Sequence, residues 1–258
     1  MSNTAFVSLP NRGLITLTGD NRIDFLQGLV SNDITKLEDQ KIQYACLLTP
    51  QGKFLHDFFM VWDGDKILID CEGGERATDL YERLNKYRLR SKVDLSVEEQ
   101  NEVFAIMEGD EIGLPDPRHF RLGTRNFIKP DNAIEESFLE WDKERILLGI
   151  ADGSRDMIVE KSTMLECSLD KFNAIDWDKG CWMGQELTAR MKYRNLGKKH
   201  LRTIKLTTVP APAPFSTLEI DGKTIGDIRS SCGDIALAMI KDESLETIKD
   251  GDLHRILG

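Results

Sequence analysis

Between Tyr44 and Ile69 the sequence leaves the backbone little choice but to run back and forth. Tyr44 to Leu48 and Phe54 to Trp62 are apolar, aromatic-rich runs joined through Pro50-Gln51-Gly52, and Ile67 to Ile69 follows the turn Asp63-Gly64-Asp65. An antiparallel meander is the simplest arrangement of these three strands. Upstream, Leu14 to Thr18 is a short β-prone run, and Asp20 can cap a helix that carries Ile23, Leu26 and Val30 at helical spacing. Downstream, Ala77, Leu80, Tyr81, Leu84 and Tyr87 mark an amphipathic helix that ends in Arg88-Leu89-Arg90-Ser91-Lys92, positive charge at the negative end of the helix dipole. Val93 to Val97 and Val103 to Met107 read as strands. Antiparallel strands interrupted by such helices make a mixed α+β chain rather than a doubly wound parallel sheet.

Gly109 to Pro117 is turn-rich and is the expected boundary between two lobes of a region spanning residues 1–200. After residue 200 the pattern becomes all-β. Leu201 to Leu206 and Ile235 to Ile240 are strand runs, Pro210 to Pro214 is a linker, and Leu218 to Ile225 is a hairpin turning at Asp221-Gly222. Residues 201–258 are therefore expected to form a small domain of their own.

Several function classes are disfavoured by composition. No window reaches membrane-spanning length and the N-terminus lacks a basic, apolar leader pattern, so a soluble cytoplasmic protein is expected. The five cysteines are an odd number without a CxxC pair, which fits a reducing compartment and gives neither a disulfide framework nor a cluster site within the chain. His56, His119, His200 and His254 lie far apart, and no metal site is proposed. A net charge of −10 argues against broad nucleic-acid binding. Residues 187–218 nevertheless contain seven Lys/Arg and no acid, a segment that either attracts an anionic ligand or is a solvated face.

Chemistry is concentrated in residues 176–194. Gly180 and Gly184 bracket Cys181, and from Gln185 onward the residues favour a helix with Gly184 at its N-cap. Cys181 thus precedes a helix N-terminus and follows Lys179, two influences that favour thiolate. The alternative is a cysteine packed beneath its loop.

The string Lys179-Gly180-Cys181-Trp182-Met183-Gly184-Gln185-Glu186 resembles the KGCY-x-GQE signature of the YgfZ-type folate-binding proteins, shortened relatives of the glycine-cleavage T protein (aminomethyltransferase). Trp182 replaces the usual tyrosine. Asp116-Pro117-Arg118 with Leu122-Gly123-Thr124-Arg125, Gly19-Asp20 with Phe25 to Gly28 and Ser31 to Ile34, and Tyr87 to Val93 extend the resemblance over about the first 200 residues. It implies a GcvT-like, multi-lobe cloverleaf with a central folate-binding opening and a C-terminal barrel-like domain. It also implies tetrahydrofolate or a reduced derivative as cofactor, and iron–sulfur client or assembly proteins as partners. In a eukaryote the compartment would be the mitochondrial matrix.

Against this background Asp57 and Glu186 are candidate acceptors for a pterin's N–H groups, Trp141 a stacking face, and Arg145 a carboxylate or pterin contact. Lys179 and Gln185 complete the expected folate loop, and Cys181 is the candidate catalytic residue. Each has a structural alternative: Asp57 as a strand-end acid facing water, Trp141 as core, Gln185 and Glu186 as solvated first-turn residues. Three functions compete: a tetrahydrofolate-binding protein supporting iron–sulfur cluster assembly or repair, a folate-dependent aminomethyltransferase, and an RNA-binding module using the basic segment.

Overall fold

The computed structural model describes residues 4–98, 102–109, 112–206, 209–248 and 254–256. In chain order the elements are β1 (Ala5–Ser8), β2 (Arg12–Thr18), α1 (Arg22–Gln27), α2 (Leu37–Gln40), β3 (Ile42–Leu48), β4 (Phe54–Asp63), β5 (Lys66–Glu72), α3 (Glu75–Arg88), β6 (Asp94–Val97) and β7 (Phe104–Glu108). There follow β8 (Leu114–Pro115), β9 (Thr124–Asn126), β10 (Ile134–Glu136), α4 (Phe138–Leu147), α5 (Gly153–Asp156), α6 (Gln185–Arg194), β11 (Lys199–Leu206), β12 (Thr217–Ile220), β13 (Lys223–Cys232), β14 (Ile235–Lys241) and β15 (His254–Ile256). They build three sheets, ordered β3-β4-β5-β2-β6, β10-β1-β7-β9-β8 and β12-β13-β14-β11-β15. The pairings are antiparallel apart from β1 with β10.

The expected meander is the β3-β4-β5 half of the first sheet. Alternation along β4 sends His56, Phe58 and Met60 to one face and Asp57, Phe59 and Val61 to the other, and both faces are buried. On the first face Phe58 and Met60 join Leu26, Val30, Ala77, Leu80 and Leu84 in a core under α1 and α3. On the second, Tyr44, Cys46, Phe59 and Val61 meet Ile146, Met157, Trp182, Leu201, Leu237 and Met239. The sheet is therefore the middle layer of the molecule, and its second face carries Asp57 inward.

Two local expectations need correction. Asp20 does not cap α1: the helix starts after Asn21, whose side chain accepts from the Lys92 amide instead of from the helix, and it stops at Gln27. Val30 lies beyond it, buried in the same core and bridged to Leu47. The turn-rich stretch around 109–117 separates β7 from β8, which both pair with β9 in a single sheet; residues 110 and 111 lie outside the described residues.

Candidate functional site

The Lys179 to Glu186 loop is held from below at Lys179 and again from Trp182 to Gln185. Lys179 is buried, and its Nζ donates to the carbonyls of Gln27, Val30 and Asn32 at 2.8, 2.8 and 2.7 Å, the backbone that turns out of α1. Trp182 is buried in the second-face core, and Met183 N donates to Gly28 O. Gln185 folds back so that its Oε1 accepts from Trp182 N at 3.0 Å. Gly184 has φ +85, and a Cβ there would lie 2.7 Å from Thr49 O and 2.8 Å from Leu48 Cβ. Only glycine allows that approach to the turn between β3 and β4.

What the loop leaves outside is Cys181. Its thiol is exposed, whereas Cys46, Cys71 and Cys167 are buried and Cys232 is partly so. Burial pushes the Cys71 and Cys167 thiols up to about 12 and that of Cys46 well above its ordinary value. Helix α6 begins four residues after Cys181. Lys179 does not serve the thiol as expected, because its ammonium is committed to three carbonyls; burial lowers its pKa to about 8. Glu186 points to solvent and pairs with Arg190 at 2.7 Å. Of the basic segment, Arg190, Arg202 and Lys205 have carboxylate partners, and Lys192 lies 3.6 Å from the centre of the Trp177 ring.

Asp57, Trp141 and Arg145 are elsewhere, in the middle of the molecule. Asp57 is buried and accepts from the Tyr44 hydroxyl at 2.7 Å; burial raises its pKa against the pull of Arg12. Arg145 is fully buried, and all five of its N–H groups are engaged: with Asp142, Asp156, the Ile150 carbonyl and Ser230 on β13. It ties α4 and α5 to the C-terminal sheet and has no donor left for a ligand. Trp141 is buried with its indole N–H unpartnered, and its ring faces Arg118.

Sequence reasoning singled out none of the arginines that fill this centre. Arg118, from the turn after β8, has its guanidinium 5.5 Å from the Tyr44 ring centre, 4.7 Å from Phe59 and 5.8 Å from Trp141. The Arg125 guanidinium lies 3.9 Å from the Phe59 ring centre, and that of Arg12 lies 5.5 Å from the same centre. Asp70 binds both Arg12 and Arg125, while Asp116 takes Arg118 in a two-pronged fork at 3.0 and 2.8 Å. Arg118 and Arg125 belong to the Asp116-Pro117-Arg118 and Leu122 to Arg125 motifs, but nothing in their spacing says where they point.

These residues do not fit a pterin as they stand. The aromatic faces that would stack on it already hold a guanidinium, the Asp57 carboxylate is engaged by a phenol, and the Arg145 fork is saturated. A cavity of about 580 Å³ reaches Tyr44, Gln43 and Trp177, and one of about 290 Å³ reaches Arg12, Glu72 and Asp152. Neither is lined by Asp57, Trp141, Arg145 or Cys181.

Comparison with known proteins agrees with this architecture. Residues 198–254 match the family described as CAF17, C-terminal beta-barrel domain. The chain is 28% identical over 250 residues to the iron–sulfur cluster assembly factor IBA57 homolog, mitochondrial, of Mycosarcoma maydis, covering 85% of this chain and 62% of that protein. With the homolog of Neurospora crassa it shares 30% identity, over 75% of this chain and 52% of the relative; with the human IBA57 factor, 25% over 95% and 79%. This chain thus spans between half and two thirds of the two fungal relatives. Its fold is that of the glycine cleavage system aminomethyltransferase T from Bartonella henselae, with a TM-score of 0.71 at 13% identity, covering 93% of this chain and 79% of that one. The chain is therefore a GcvT-like α+β protein with a CAF17-type C-terminal barrel, similar over most of its length to iron–sulfur cluster assembly factors of the IBA57 family.

Proposed function

We propose that this chain is an iron–sulfur cluster assembly factor that works by presenting Cys181 to a partner protein. The observation that carries the reading is the exposed thiol on a loop fixed by Lys179, Trp182, Gly184 and Gln185, in a chain whose relatives bear that name. A thiol so held needs no loop ordering when a partner docks. An iron–sulfur cluster is held by several thiolates, and no group of three His, Cys, Asp or Glu side chains placed to hold a metal ion is found among the described residues. Cys181 supplies one ligand or one thiolate, and the partner supplies the rest. Helix α6, starting just after the loop, adds positive potential where a thiolate or an anionic cluster would sit.

The proposed compartment is the mitochondrial matrix: the relatives are named as mitochondrial, and no helix among the described residues is long and apolar enough to cross a membrane. The finer YgfZ-type reading adds a reduced folate. The central residues do not fit a pterin as they stand, and the presentation of Cys181 needs none. Complementation tests the reading: in cells lacking the gene, wild type restores iron–sulfur enzyme activity and Cys181→Ser does not. Full restoration by a well-expressed serine variant overturns it.

A further inference from the structure

Three aromatic rings from three different elements surround one planar group in the centre. Tyr44 comes from β3, Phe59 from β4 and Trp141 from α4, and the group between them is the Arg118 guanidinium, from outside all three elements. Asp116 aims it there, accepting from Nε, from Nη2 and from the Arg118 backbone N–H. Arg118 is only 5% exposed, so its charge is sequestered with a single carboxylate fork and ring faces, an arrangement that suits guanidinium better than ammonium.

The fit is one-sided. The Trp141 indole N–H is buried without an acceptor, and a guanidinium has five donors and no acceptor to offer it. Beside the rings stands the Tyr44–Asp57 pair, a carboxylate able to accept from an N–H group. Ring faces and nearby carboxylate acceptors suit a flat group that bears N–H donors, and Arg118 supplies both the planarity and the donors while leaving the indole N–H without an acceptor.

We infer that Arg118 is the built-in occupant of an aromatic cage formed by Tyr44, Phe59 and Trp141, and that it determines specificity by keeping flat heterocycles such as a reduced pterin out of the wild-type centre. This does not rest on the role of Cys181. Removing the side chain leaves a guanidinium-sized space lined by three rings and the Asp116 carboxylate, with Arg125 still seated on Phe59 and 3.5 Å from Asp116.

The test uses the full chain and two probes. Methylguanidinium chloride at 10 mM, against sodium chloride at equal ionic strength, should raise the melting temperature of Arg118→Ala by roughly 2 to 3 °C if it binds with a Kd of about 1 mM, and leave wild type unchanged. Calorimetric titration with 5-formyltetrahydrofolate should show no binding to wild type at about 100 μM and at least tenfold tighter binding to Arg118→Ala. Equal responses of wild type and variant to methylguanidinium overturn the inference. So does saturable folate binding by wild type in that range, a measurement that decides the matter even if Arg118→Ala fails to fold.

Discussion

Replacing Lys179 with methionine separates two roles for this side chain that sequence cannot distinguish. In the structure the ammonium makes three charge-assisted hydrogen bonds to carbonyls at the end of α1. Such bonds contribute about 1.5 to 3 kcal/mol each, so the gross contribution is roughly 6 kcal/mol. Burial offsets part of it: a pKa lowered from 10.5 to about 8 corresponds to about 3 kcal/mol against the charged form. The net loss in Lys179→Met is then about 3 kcal/mol. For 258 residues, with an unfolding entropy of about 2.1 cal/mol/K per residue, the melting temperature should fall by about 6 °C. The folded-state pKa lies below the unfolded one, so between about pH 8 and 10.5 the unfolded chain binds more protons and wild type gains stability as pH rises. The variant lacks that rise. Differential scanning calorimetry from pH 7 to 10 measures both effects, and iodoacetamide labelling follows Cys181. An unchanged melting temperature with a tenfold slower alkylation of Cys181 would refute the bracing role and return Lys179 to activation of the thiol.

Other perturbations follow from the same geometry. Arg145→Met removes one of two arginine partners of the buried Asp142 and the arginine partner of Asp156, and should cost about 3 to 5 kcal/mol, read as a fall in melting temperature of roughly 6 to 9 °C; a change confined to ligand binding would contradict the structural assignment. His56 is buried beside Asp79, and burial with nearby Arg76 lowers its pKa to about 4. The folded state therefore binds fewer protons than the unfolded one below about pH 6.5, and stability should be lost as pH falls toward 4, by about 3 kcal/mol in urea titrations. His56→Gln should flatten that dependence, and an identical slope would remove His56 as its cause. Gly184→Ala places a Cβ at φ +85 against Thr49 O and should cost at least about 1 kcal/mol, with faster proteolysis of the loop; a neutral outcome would mean that the loop is not seated on the β3–β4 turn.

The strand and helix pattern was largely legible because alternation and helical spacing are local. The meander of β3, β4 and β5, helix α3 and the Cys181 loop ahead of α6 all follow from residues near one another in sequence. Pairing order was not legible: β2 inserts between β5 and β6, and β11 lies between β14 and β15, choices made by packing across long separations. The candidate site divides the same way. Cys181, Gly184 and Gln185 share one loop, so their proximity was given by spacing. Lys179 turned from the thiol to carbonyls about 150 residues earlier, and Asp57, Trp141 and Arg145 settled into separate buried networks. Arg12, Arg118 and Arg125 meet at Phe59 only because three strands and a turn converge there, which no spacing in the sequence announces.

Whether Cys181 reaches a cluster is read by visible circular dichroism of an anaerobic mixture of this chain with a carrier protein loaded with a [2Fe–2S] cluster. Wild type should change the cluster spectrum and elute with the carrier as an iron-containing complex, while Cys181→Ser, equally folded, should leave the carrier's spectrum as it is alone. The same spectral change and co-elution with the serine variant would contradict the claim that this exposed thiol is the group presented to the cluster.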